Sequence, residues 1–172
     1  MTAPLPAASA PSSEVARDAW LSSYADVLRQ WLAEGRVARL PLAGTSMEPA
    51  ISSGARVVVD GCAPGAIRVG DLVVYESADT LICHRVLRRR HAPGGGELLT
   101  KGDRLRVPPV WVAATSVIGR VVTIETGARL RRLTDRGERL RGRIAAGRSW
   151  LALLGRLFVR ALRGTPRAAR PV

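Results

Sequence analysis

Residues 70–87 read GDLVVYESADTLICHRVL, from Gly70 to Leu87. Two β-rich runs, Leu72–Tyr75 and Thr80–Leu87, flank the polar stretch Glu76–Asp79, the pattern of an antiparallel hairpin. Side chains alternate across a strand. His84 therefore shares a face with Ile82 and Val86, while Cys83 and Arg85 point the other way. A histidine on an apolar face is more often a satisfied core residue than a catalyst. The hairpin thus speaks first to fold and only later to chemistry.

The same signals recur on both sides of the hairpin. Val37–Leu42, Arg56–Asp60, Glu97–Thr100 and Ser116–Glu125 are further β-rich runs, punctuated by turn stretches such as GCAPGA and HAPGGGE. They predict a mostly β domain over residues 36–126, built as an irregular, mostly antiparallel sheet or barrel. Flanking segments are helical or irregular. Residues 1–12, rich in Ala, Pro and Ser, are expected to be disordered. Residues 13–35 predict an amphipathic helix with Trp20, Leu21, Tyr24, Val27, Leu28, Trp31 and Leu32 at helical spacing, ended by Gly35. Residues 127–147 read as a basic linker or a helix interrupted by Gly137, Gly142 and Gly147. Residues 148–163 read as a basic amphipathic helix with Trp150, Leu153, Leu154, Leu157 and Phe158 on one face and Arg156, Arg160 and Arg163 opposite. Residues 164–172 are expected to form a disordered tail.

Charge divides the chain in the same place. The formal net charge is +13, yet residues 1–126 hold 14 bases and 12 acids, whereas residues 127–172 hold 13 arginines and two acids. The folded part is near neutral and the basicity lies C-terminal. Such a block can meet an anionic lipid surface, and residues 148–163 fit a membrane interface as well as they fit packing on the domain. Nucleic acid is a weaker expectation, because no stacking platform or nucleic-acid motif accompanies the arginines. Cys62 and Cys83 have neither disulfide-framework nor metal-ligand spacing and read as small apolar fillers. No cofactor or metal site is expected. The N-terminus has no basic start or apolar core, and no apolar run has the length of a bilayer span. The expected location is cytoplasmic or peripheral at a membrane.

Candidate chemistry starts at Gly44-Thr45-Ser46-Met47-Glu48-Pro49. A strand ends near Leu42 and Pro49 suits a first helical turn, so Ser46 sits at a tight junction where its hydroxyl can enter a cleft. A serine nucleophile needs a base. The chain offers His84, His91 and the single lysine Lys101. His91 lies in a Gly-rich loop and reads as an exposed bystander.

Five pieces in order, Gly44–Pro49, Ile67–Tyr75, His84–Leu87, Leu99–Asp103 and Val117–Val122, resemble the type I signal peptidases. The order is most similar to the branch of archaea and the endoplasmic reticulum, which has histidine in the HRV position. The resemblance covers roughly residues 38–125. It implies a β-rich serine endopeptidase with Ser46 as nucleophile and His84 as general base. Asp103 matches the aspartate of the family's KGD motif and is expected to orient His84. Thr45 and Met47 fall in the oxyanion and substrate-binding turn. The substrate implied is a peptide or protein precursor, bound as an added strand and cut after small residues.

Three departures stand beside this likeness. Arg104–Pro109 holds no acid where relatives carry a further aspartate pair, Gly44 stands where some relatives place a serine, and no transmembrane helix is evident. Two alternatives follow: a regulatory protein of the same fold, like the self-cleaving repressors, or a non-catalytic module acting through the Arg-rich C-terminus. Oligomeric state is left open by the sequence.

Overall fold

Leu72, Val73, Val74 and Tyr75 are all buried, at 3% exposure or less. A strand whose two faces are both covered must lie inside a layered structure. The computed structural model describes residues 14–163 apart from 78, 79, 93, 94 and 106, with side chains from Tyr24 to Gly155. The expected disorder of residues 1–12 and 164–172 lies outside the described residues, as do the side chains of Trp20, Leu21 and residues 156–163.

In chain order the elements are α1 (Glu14–Ala33), β1 (Val37–Pro41), β2 (Arg56–Asp60), β3 (Leu72–Ser77), β4 (Thr80–Arg90), β5 (Glu97–Lys101), β6 (Val110–Ala113), β7 (Val117–Thr126), β8 (Arg129–Arg132) and α2 (Arg136–Arg163), with single 3-10 turns at Pro64–Ala66 and Ala114–Ser116. The strands form one antiparallel sheet in the order β1-β2-β7-β3-β4-β5-β6, with β8 also paired to β7. The mostly β expectation is met. The sheet is open, with β1 and β6 at its two ends, rather than a closed barrel.

The hairpin of β3 and β4 forms as read, with Val73 opposite His84, Tyr75 opposite Ile82 and Ser77 opposite Thr80. Alternation sorts its side chains onto two cores. Leu72, Val74 and Cys83 join Leu40, Val57, Val59, Val121 and Ile124 under α1, where Ala25, Leu28 and Leu32 close the layer. Val73, Tyr75 and Val86 join Ile67, Leu98 and Ala114 on the other side. Val27, expected in the helix stripe, is 45% exposed because Ala25 takes the inward position instead.

The basic segment after Glu125 differs from the expectation. Arg129–Arg132 forms strand β8, and a single helix runs through Gly137, Gly142 and Gly147. Gly142 is where this helix meets the sheet. A Cβ built there would lie 2.8 Å from the Gly70 carbonyl oxygen, and one built on Gly70, at φ +96°, would lie 2.6 Å from the Arg143 nitrogen. Two facing glycines thus let two backbones touch. Beyond them Ala146 is buried against Leu87 and Leu99, with Trp111 and Trp150 packed around.

Candidate active site

The turn Lys101–Leu105, which leaves β5, joins the parts of the site. Lys101 is buried at 7% exposure, and its ammonium donates to the Gly102 carbonyl at 3.1 Å and to the Leu105 carbonyl. These bonds curl the chain so that the Arg104 N–H donates to the Ser46 carbonyl at 2.9 Å. Gly102 makes the approach possible, since a Cβ there would sit 2.8 Å from the same oxygen. The Arg104 guanidinium also bonds the Glu48 carboxylate. The segment carrying Ser46 is therefore held by main chain and side chain together.

That segment, residues 44–50, is a run of bends and turns rather than the helical start expected from Pro49. Glu48 N–H donates to the Thr45 carbonyl and Ile51 N–H to the Met47 carbonyl, while Leu42 and Ala55 bond across the base of the loop. Ser46 is half-buried and Thr45 exposed. Met47 is fully buried and belongs to the core under α1. Its buried side chain anchors the loop to that core.

His84 lies one strand in from β5. Its Nδ1 is 3.1 Å from the Tyr75 hydroxyl, which is 3.3 Å from Thr100 Oγ1, itself 3.4 Å from the Val110 carbonyl oxygen. Tyr75 and His84 are diagonal neighbours on one face of the hairpin, within reach of each other as long side chains there are. Burial drives the His84 pKa down from 6.5 to about 4; the charge of Asp103 opposes this and that of Lys101 adds to it. The imidazole is accordingly neutral at ordinary pH and free to accept a proton.

Two polarities of this chain of bonds fit the distances, and they differ in what Thr100 donates to. Thr100 has one hydroxyl proton for two contacts, and a carbonyl can only accept. With Thr100 donating to Val110, Tyr75 donates to Thr100 and its oxygen accepts Nδ1–H from His84, so all three contacts are made. With Thr100 donating to Tyr75, the Val110 contact is lost. The first arrangement places the His84 proton on Nδ1 and leaves Nε2 with its lone pair.

Asp103 is differently engaged from what its motif implies. Arg85 Nε and Nη2 donate to its two carboxylate oxygens at 2.8 and 2.7 Å, and Arg85 Nη1 donates to the Gly70 carbonyl at 2.9 Å. Both carboxylate oxygens thus meet a guanidinium rather than the imidazole, and Asp103 reaches His84 through its charge. Tyr75 and Thr100 are the contacts that sequence reasoning missed. Burial pushes the Cys83 thiol up to about 12, consistent with an inert filler. His91 is exposed. Among the described residues, no three His, Cys, Asp or Glu side chains gather as a metal site.

The family model described as peptidase S24-like matches residues 6–122. The match does not single out the signal-peptidase branch or the Ser–His pair. No curated protein shows significant similarity to the chain.

The Arg85–Asp103 pair yields a test of the site's framework. Side-chain exposures of 6% and 11% mean that Asp103→Ala strands a buried guanidinium, a loss of about 3–5 kcal/mol. Urea unfolding should show that loss for Asp103→Ala. The double variant Arg85→Met/Asp103→Leu should recover most of it, since no charge is then left unpaired.

Proposed function

The chain belongs to the peptidase S24-like family, and on that premise we propose a serine endopeptidase of signal-peptidase type in which Ser46 is the nucleophile and His84 its general base. One observation carries this reading above the others. The Lys101–Leu105 turn touches the backbone of Ser46 through Arg104 N–H, while Lys101 and Asp103 in the same turn act electrostatically on His84. Residues 38 positions apart in sequence are thereby tied to one short turn.

In the proposed reaction Ser46 Oγ attacks the scissile carbonyl and His84 Nε2 takes its proton. The negative charge of Asp103 favours the imidazolium formed at that moment, although its oxygens stay on Arg85. His84 then gives the proton to the leaving amine, and water releases the acyl group by the same steps in reverse. Backbone N–H groups of the Thr45–Met47 turn are the candidate donors to the oxyanion. Strand β1 runs directly into the Ser46 loop and is an edge of the sheet, so an extended peptide can add beside it as a further strand. The preference for small residues before the cut comes from the signal-peptidase likeness of the motifs.

The family match also accommodates a second reading, in which the cleaved bond lies in the chain itself, as in self-cleaving regulators. Incubation of the purified protein separates the two. Fragments of its own chain, lost in Ser46→Ala, favour the regulatory reading, and turnover of added peptide favours the first.

Ser46→Ala and His84→Ala are expected to lower kcat/KM for a peptide with small residues before the cut at least a thousandfold, on the order seen when one member of a catalytic pair is removed. Near-native turnover by either variant would remove it from the mechanism. The acid limb of kcat/KM should fall near the lowered His84 pKa of about 4 rather than near 6.5. The sign is that of a depressed folded-state pKa: the neutral imidazole is compatible with the fold above 6.5, and its stabilising contribution is lost as pH falls through about 4.

Tyr75→Phe should keep the apolar packing but free the Nδ1 proton. We expect a drop in kcat of roughly 10- to 100-fold with little change in KM, together with a shift of the His84 imidazole nitrogen resonances toward a mixture of tautomers. An unchanged nitrogen spectrum would show that Tyr75 does not set the tautomer, whatever the rate.

A further inference from the structure

Helix α2 has two apolar sides, and only one is used. Gly142, Ala146 and Trp150 face the sheet and its turns. Successive helical residues turn by about 100°, so Leu140, Ile144, Leu151 and Leu154 fall together on a different side, within an arc of about 80° by the same spacing. They are 58%, 53%, 67% and 45% exposed. Four large aliphatic side chains in one open line along a helix are unusual on a monomeric surface.

Charge indicates what covers them. By the same spacing, Arg141 and Arg148 border the line on one side, and Arg136 and Arg143 on the other. Arg141 is engaged by Glu138. Among the described residues no carboxylate is paired with Arg136, Arg143 or Arg148. Next to Leu140 the helix borders an open cleft of about 450 Å³ lined by Val69, Arg68, Arg89, Arg136, Arg139 and Arg143, with Asp71 as its one acid. An apolar line between arginines, beside a cationic cleft, matches a surface with hydrocarbon below and phosphate above. A protein partner would have to bury these guanidinium groups, whereas a lipid headgroup layer leaves them hydrated.

We propose that α2 seats the protein on an anionic lipid surface, with Leu140, Ile144, Leu151 and Leu154 in the acyl boundary and the cleft arginines on headgroup phosphates. This face shares only Leu154 with the one expected from the sequence, because Trp150 is taken up by the sheet. On another side, α2 borders the candidate site: Arg148, Ser149, Ala152 and Leu153 line a cleft of about 310 Å³ with Lys101, Asp103, Arg104 and Leu105. Lipid binding is independent of the proposed catalytic reading.

The test is co-sedimentation of the full chain with phosphatidylcholine vesicles, with and without phosphatidylglycerol. Binding is expected only with the anionic lipid, weakening as salt rises. The pair Ile144→Glu/Leu151→Glu replaces exposed side chains and should keep the wild-type melting curve while weakening vesicle binding at least about tenfold. Arg136→Gln/Arg143→Gln should weaken it and flatten the salt dependence. Ser46→Ala must bind as the wild type does, which separates this proposal from the catalytic one. Failure to sediment with anionic vesicles, or equal binding by the Glu pair, overturns it. So does a concentration-dependent dimer that the Glu pair makes monomeric, since a second copy would then cover the line. Duplex DNA binding tighter than vesicle binding, and unaffected by the Glu pair, would also overturn it.

Discussion

The contact between the Ser46 carbonyl and the turn at Gly102 is the constraint on which the site depends. It spans two loops that no strand pairing brings together. With a Cβ at Gly102 the approach would close to 2.8 Å, well inside the distance two non-bonded atoms tolerate, so only glycine permits the Arg104 N–H to reach the same oxygen. Lys101 serves this contact from below. An ammonium at 7% exposure is expensive to bury, and it is offset by the carbonyls of Gly102 and Leu105 that it draws together. The three residues of the KGD motif thus divide three tasks: Lys101 shapes the turn, Gly102 admits the serine loop, and Asp103 neutralises Arg85.

His84 and Arg85 are adjacent on β4 and point to opposite faces, and the consequences of burial differ accordingly. Arg85 cannot shed its proton, so it takes a carboxylate partner, both oxygens of it, and a backbone carbonyl as well. His84 can shed its proton and does so. For a half-buried neutral imidazole to serve as the proposed base, its tautomer must be fixed, because half of a mixed population would present N–H where a lone pair is wanted. A carboxylate would fix it by charge. Here a chain of neutral groups, Tyr75, Thr100 and the Val110 carbonyl, can fix it when Thr100 donates to Val110. The cost is that little negative charge lies against Nδ1, which is one reason the pKa stays low despite Asp103 nearby.

Much of this was legible in the sequence where periodicity is strong. The hairpin register follows from two β-rich runs around a short polar loop. The face shared by Ile82, His84 and Val86 follows from alternation. The same alternation held an unused signal: a two-residue loop after Ser77 places Tyr75 opposite Ile82, and so on the side of His84. Strand β6, VWVA, was not legible because it is four residues long and follows two prolines. Strand β8, RLRR, is exposed along its whole length and carries no alternation at all; its partner β7 defines it. The continuity of α2 was hidden by three glycines, which read as interruptions. The structure uses one of them, Gly142, to bring helix and sheet backbones together. Asp103 was misplaced for a different reason. A motif indicates that a carboxylate is present, but the nearest unmatched buried charge decides where its oxygens point, and that charge was Arg85.

The docking of α2 explains why the basic segment is part of the structure rather than an appendage. Gly142 lies against Gly70, whose carbonyl accepts from Arg85, which holds Asp103 in the turn that supports Ser46. Each link is a direct contact. A shift of the helix would therefore be felt first at Gly70 and Arg85, and only then at the serine loop. The His84 side chain itself is bonded on the other face, by Tyr75. The serine loop is thus held through the Lys101–Leu105 turn, and the imidazole by Tyr75 on its own face of the hairpin. Strand β4, which carries His84 and Arg85 on opposite faces, is itself paired along both edges.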